Sequence, residues 1–156
     1  IVDTKMALPD ATAPGLDCLR QLWSADSADA QRVRAGIAQT KVAAPAAGVP
    51  VMVVHGSDDG LIPFAFTSAP YAAAAKAAGR ELTLWQIDNI QHFDGFLMLP
   101  DYAARYLPLL PYVYTALEAV DARLDGKAAL PADAHLRTTP RGTGQPLTAA
   151  HLALPQ

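Results

Sequence analysis

Two polar segments concentrate the groups able to do acid–base chemistry: His55–Pro63 (HGSDDGLIP) and Asn89–Pro100 (NIQHFDGFLMLP). The first offers His55, Asp58 and Asp59; the second offers Asn89, Gln91, His92 and Asp94. An aspartate within hydrogen-bond reach of a histidine accepts its Nδ1–H and fixes the tautomer. It also stabilises the imidazolium that forms when Nε2 takes a proton. A nucleophile on the far side of the ring would complete a site for acyl transfer. The serines are Ser24, Ser27, Ser57 and Ser68, and none lies in a G-x-S-x-G turn. The attacking hydroxyl is therefore expected from outside these residues.

The elements around these segments set where they stand. Val51–Val54 is a short β-branched apolar run between Pro50 and Gly56, which reads as a strand buried on both faces and central in a parallel sheet. Ser68 caps a helix with Pro70 in its first turn, running through Tyr71–Ala78 and stopping at Gly79. Glu81–Asp88 (ELTLWQID) is a second strand, with Leu82, Leu84 and Gln86 on one face and Thr83, Trp85 and Ile87 on the other. Strand, helix and strand make a βαβ unit of α/β class. Both polar segments then follow the carboxyl ends of strands, where functional groups of open α/β sheets collect.

Residues 1–42 read as a helical lead-in or lid-proximal segment. An irregular stretch carries Pro9, Pro14 and Gly15, and one or two helices follow between Leu16 and Val42, the second capped by Ser27 or Asp29. Residues 43–126 hold the βαβα part, whose last helix starts at Pro111 and stops at Gly126. Residues 127–156, with Pro131, Pro140, Pro146 and Pro155, read as an extended tail.

Composition narrows the function classes. The chain has 156 residues, 51% of them hydrophobic, as expected of a core-forming domain. A net charge of −3 supplies no basic field for nucleic acid or anionic lipid. No apolar run approaches the ~20 residues of a membrane span. Cys18 stands alone, so no internal disulfide is possible, and it reads as a buried or half-buried thiol. The start at Ile1 fits a fragment, a processed product or one half of a split enzyme better than a complete gene product.

Each candidate also has a plainer role. Asp59 fits a turn aspartate and His55 a packing residue at a strand end. Asp94 and Asn89 would line a pocket or order the histidine loop, while His135 and His151 fit solvated tail positions. A metal held by His55, Asp59 and His92 lacks any close-spaced ligand pair. Phe93, Phe96, Leu97, Met98, Tyr102 and Tyr106 read first as loop packing. Phe93, Phe96 and Met98 would also make an apolar wall for a small ester. A non-catalytic binding module is the competing functional reading.

PVMVVHGSDDGLIP resembles the strand and acid loop of α/β hydrolases, H-G-x-x-D-x-x-(V/I)-P, with Asp59 at the acid position and Asp58 at a variable one. NIQHFDGFLMLPDYAARYLPLLPYVYTAL and Leu136–Gly142 (LRTTPRG) resemble the D-(−)-3-hydroxybutyrate oligomer hydrolases, with His92 at the triad histidine. The likeness runs from about Val49 to Gly142. It implies the C-terminal portion of an α/β-hydrolase fold and a serine esterase that cleaves 3-hydroxybutyrate dimers and oligomers in polyhydroxybutyrate degradation. It further implies that Asp59 orients His92, that a missing N-terminal portion carries the nucleophile, and that no metal or organic cofactor takes part. An extracellular or periplasmic location is the family expectation.

Overall fold

The computed structural model describes residues 13–155. The expectation of an irregular lead-in over residues 1–12 lies outside the described residues. The chain divides into two compact units, Ile1–Ala43 and Ala44–Gln156.

In the first unit, helices α1 (Ala13–Ser24) and α2 (Ala28–Thr40) pack against each other. Pro14 and Gly15 fall inside α1 rather than ahead of it. Proline is tolerated in a first turn because its missing N–H would have no helical partner there. Ser27 is the cap of α2, accepting the Ala30 N–H at 3.2 Å. Cys18 is exposed, against the expectation of a buried thiol. It lies on a helix that also leaves Leu16, Leu19 and Trp23 largely uncovered.

The second unit holds a parallel sheet of order β1 (Val51–Gly56), β2 (Leu82–Ile87), β3 (Ala134–Leu136). Between β1 and β2 runs α3 (Ser68–Ala77), and α4 (Pro100–Arg105) and α5 (Leu110–Leu124) follow β2. A short α6 (Ala149–Leu152) comes after β3. Helices with a parallel sheet are compatible with the expected α/β class. Strand alternation sorts the core into two faces. Val51, Val53, Leu82 and Leu84 pack with Ala72 and Ala75 of α3. Met52, Val54, Trp85 and Ile87 join Ile90, Leu107, Tyr112 and Ala116 on the α5 side.

Two features depart from the sequence reading. Among the described residues β1 is not central: it pairs with β2 alone, and β2 occupies the middle. The segment read as an extended tail supplies β3 and α6. The second edge of β2 presents backbone groups that need partners, and this segment meets them. Asp133 accepts the Leu84 N–H at 2.9 Å, and the Thr83 hydroxyl and Trp85 indole donate to Pro131 and Ala132 carbonyls. Leu152 is buried, and its carbonyl takes the hydroxyl of Tyr112, whose pKa burial pushes up to about 12. Three residues of strand are too few to show alternation, so β3 is silent in the sequence. No helix among the described residues is long and apolar enough to cross a membrane.

Candidate active site

The acid loop leaves β1 at Gly56, whose Cα lies against the backbone of the histidine loop. A Cβ there would stand 2.2 Å from the Ile90 carbonyl oxygen, so only glycine lets the two loops meet. Gly56→Ala is expected to destabilise the protein by about 1–3 kcal/mol through forced backbone displacement. The urea midpoint checks it, and an unchanged midpoint would show that the loops separate freely. Beyond Gly56, the Ser57 N–H donates to the Ile87 carbonyl at 2.7 Å, the Asp58 N–H to that of Ile90 at 3.1 Å, and the Gly60 N–H to Gln91 Oε1 at 3.2 Å. The loop is thereby stitched to β2 and its exit.

This stitching leaves the two aspartates in different surroundings. Asp58 points to solvent, whereas Asp59 is 8% exposed. Asp59 Oδ1 accepts the N–H groups of Leu61 at 3.0 Å and Ile62 at 2.8 Å, and Oδ2 lies 2.8 Å from His92 Nδ1. Burial pushes the Asp59 carboxyl up. The bonds from Ile62, His92 and Leu61, with the charge of His92, outweigh it and hold the carboxyl below the usual carboxylate value of 3.8. It is therefore ionised near neutral pH and can only accept, so Nδ1 of His92 donates and Nε2 is the free nitrogen.

His92 is positioned from both sides. Ahead of it, Ile90 is fully buried and Asn89 turns the chain at φ 57°, a left-handed conformation that asparagine tolerates. The Asn89 carbonyl takes the Leu107 N–H, and its side-chain amide donates to Thr138. Behind it, the Asp94 carboxylate accepts the N–H groups of Leu109 at 2.7 Å and Leu110 at 3.0 Å. Asp94 thus caps α5, which has no local side-chain cap at Leu109. A helix starting without a cap is the signal that points to such a distant partner. Asp94→Ala is expected to cost about 0.5–2 kcal/mol, measured by urea denaturation, with Asp94→Asn retaining part of it. No loss in the alanine variant would assign the capping bonds no stabilising role.

His55 is buried and does not join the pair directly. Its Nε2 lies 2.9 Å from the Ile62 carbonyl and must donate, because a carbonyl only accepts; in the neutral ring Nδ1 then accepts the Ser68 hydroxyl at 2.6 Å. The Ser68 side chain therefore braces His55 and does not cap α3, whose N-cap position is Thr67. His55 Nε2 stands 3.7 Å from Asp59 Oδ2, beyond hydrogen-bond length. Its role is to hold the two ends of the acid loop together.

The tail histidines keep contact with solvent, His135 exposed and His151 half-buried, and both are also hydrogen-bonded. His135 Nε2 meets Asp88 Oδ1 at 2.6 Å, and Ser57 Oγ donates to the same oxygen at 3.0 Å. The bond from His135, helped by Ser57 and opposed by burial, holds the Asp88 carboxyl below its usual range. His151 Nδ1 accepts the Thr148 N–H at the start of α6. Both partners are remote or local backbone features that a proline-rich composition does not advertise.

Two clefts flank the His92 ring. One, of about 200 Å³, is walled by Val54, Gly56, Thr67 and Leu109. The other, of about 300 Å³, is walled by Gly60, Leu61, Gln91, Phe93, Phe96 and Tyr102. Phe93 packs edge-on to His92 with ring centres 4.4 Å apart, and Phe96 bridges Phe93 to Tyr102. Met98 is exposed and is not among the residues walling either cleft. Leu61 and Gln91 reach the larger cleft from the two polar loops, a meeting that spacing alone did not reveal.

The sequence pattern of the 3HB-oligomer hydrolase family matches residues 2–155. Proteins named D-(-)-3-hydroxybutyrate oligomer hydrolase are similar over most of the chain. That of Paracidovorax citrulli is 40% identical over 142 residues, covering 86% of this chain and 20% of the relative. That of Albidiferax ferrireducens is 39% identical over 150 residues, covering 92% and 21%. That of Cupriavidus necator is 39% identical over 137 residues, covering 85% and 19%. The chain thus spans about a fifth of the length of these relatives. No solved structure matches it. With the family pattern running nearly end to end, the chain belongs to the 3HB-oligomer hydrolase family.

Proposed function

We propose that this chain is the acid-and-histidine part of a serine esterase of α/β-hydrolase fold that cleaves 3-hydroxybutyrate dimers and short oligomers. The observation that carries the reading is the 2.8 Å contact between Asp59 and His92, with the second Asp59 oxygen held by two backbone N–H groups. A serine hydroxyl from outside these residues attacks the ester carbonyl, and His92 Nε2 takes its proton. His92 then returns that proton to the departing alkoxide oxygen of the second hydroxybutyrate unit, and a water that gives its proton to His92 attacks the acyl-serine and releases the acid. Asp59 keeps Nε2 as the free nitrogen and stabilises the imidazolium. Backbone N–H groups supplied elsewhere hold the oxyanion.

The cleft of Leu61, Phe93, Phe96 and Tyr102 suits a short aliphatic acyl unit: its walls are apolar, and Gln91 offers a polar side chain.

A fluorophosphonate probe tests the reading on the complete natural protein. The expected result is one phosphonate per active site, mapped by peptide mass to a serine outside these residues, with loss of hydroxybutyrate release from the dimer. Absence of both labelling and dimer cleavage would instead support the non-catalytic binding module. Dimer cleavage without any serine labelling would overturn the serine mechanism.

A further inference from the structure

The sheet stops at β1, and this edge is the unfinished feature of the second unit. Val51–Val54 is as apolar as a strand covered on every side, yet all four residues are only half-buried. Towards β2, the Val51 N–H donates to the Glu81 carbonyl at 3.2 Å and the Ser57 N–H to that of Ile87 at 2.7 Å. Strand alternation then turns the N–H groups of Met52 and Val54 to the other side, where no strand lies among the described residues. Proteins blunt a free edge with charge, proline or a bulge; Val51–Val54 has none of these.

The helix beside this edge is equally uncovered. A groove of about 250 Å³ runs between Met52 and Val54 of β1 and Val113, Leu117 and Val120 of α5. It continues along the outer face of α5, where Leu110, Tyr114, Leu117 and Leu124 are 49–67% exposed at helical spacing, interrupted only by Asp121. One continuous apolar surface therefore joins the Met52 and Val54 N–H groups, which no described strand meets. We infer that this surface is the seam on which the remaining polypeptide of the family docks, pairing a strand with β1 and burying the α5 stripe.

The occupant follows from length. The chain spans 20% of the Paracidovorax citrulli relative and 21% of the Albidiferax ferrireducens one, so a protein of that size has some four fifths of its polypeptide elsewhere. A second copy of the same surface offers another free edge but no hydroxyl placed for His92. A strand laid parallel to β1 ends beside the smaller cleft, because Val54 and Gly56 at the end of β1 form its wall. That route for a nucleophile and the dismissal of a second copy rest on the esterase reading; the uncovered edge, the α5 stripe and the length argument do not.

Amide hydrogen exchange, resolved to single residues by fragmentation mass spectrometry of the complete natural protein, tests the seam. Met52 and Val54 are expected to exchange as slowly as Val53 and His55. An alternating pattern, with Met52 and Val54 about 100-fold faster, would overturn the inference. In a Leu117→Cys variant, maleimide labelling at that site should be about 100-fold slower in the native protein than in the denatured one; equal rates would also overturn it. Protection that disappears on dilution, as the mass falls from two copies to one, would assign the seam to self-association and sink it. Protected amides in a protein that the phosphonate does not label would leave the seam standing and remove only the esterase reading.

Discussion

Replacing His92 with alanine in the complete protein is expected to lower kcat for 3-hydroxybutyrate dimer cleavage by roughly 10⁶-fold, the loss seen when the base of a serine-protease triad is removed. The reason lies in what the ring does alone. Nε2 is the only nitrogen free to take the proton of the attacking hydroxyl, since Nδ1 is held by Asp59. His55, the other histidine of these loops, has both nitrogens engaged by Ser68 and Ile62 and cannot stand in. The His92 side chain is about a third exposed, so its removal leaves no buried cavity, and circular dichroism should be unchanged. Retained turnover by a folded His92→Ala protein would take His92 out of the mechanism.

Asp59→Asn should lower kcat by about 10⁴-fold, equivalent to about 5.4 kcal/mol of transition-state stabilisation at 1.36 kcal/mol per decade. The geometry gives a specific cause. Leu61 and Ile62 both donate to Oδ1, so the asparagine must keep its oxygen there. Its NH₂ then faces His92 Nδ1 and donates to it. The imidazole is driven into the opposite tautomer, with its proton on Nε2 and no lone pair for the hydroxyl. Nitrogen NMR of the histidine ring reports the tautomer directly, beside the kinetic measurement. Asp58→Asn is the control: an exposed side chain outside the pair should leave kcat within about twofold. The reverse pattern, with Asp58→Asn inactive and Asp59→Asn normal, would move the acid by one residue. Because acid and base act as a unit, the double variant should be no slower than His92→Ala alone.

Much of this site was legible beforehand because its signals are local. Val51–Val54 and Leu82–Ile87 declare themselves by β-branching and alternation, and the sides their residues take follow from the two-residue strand period. Pro, Gly and Asp at fixed offsets after Val54 mark a loop at a strand end, and resemblance then singles out Asp59. The edge position of β1 among the described residues was not legible, for an equally physical reason. Apolar content reports how much cover a strand needs, not whether the cover lies within the same 156 residues.

What the sequence alone determined is the set of elements and the chemistry they can carry: two parallel strands, an acid loop, a histidine loop and no serine turn. Only tertiary structure decided which groups meet. The Asp59–His92 contact spans 33 residues, the Asp94 cap on Leu109 spans 15 and the His135–Asp88 bond spans 47. Neighbouring residues set backbone conformation through sterics and periodicity. A hydrogen bond between distant side chains exists only once packing has brought their loops to within 3 Å, and no local pattern encodes that distance.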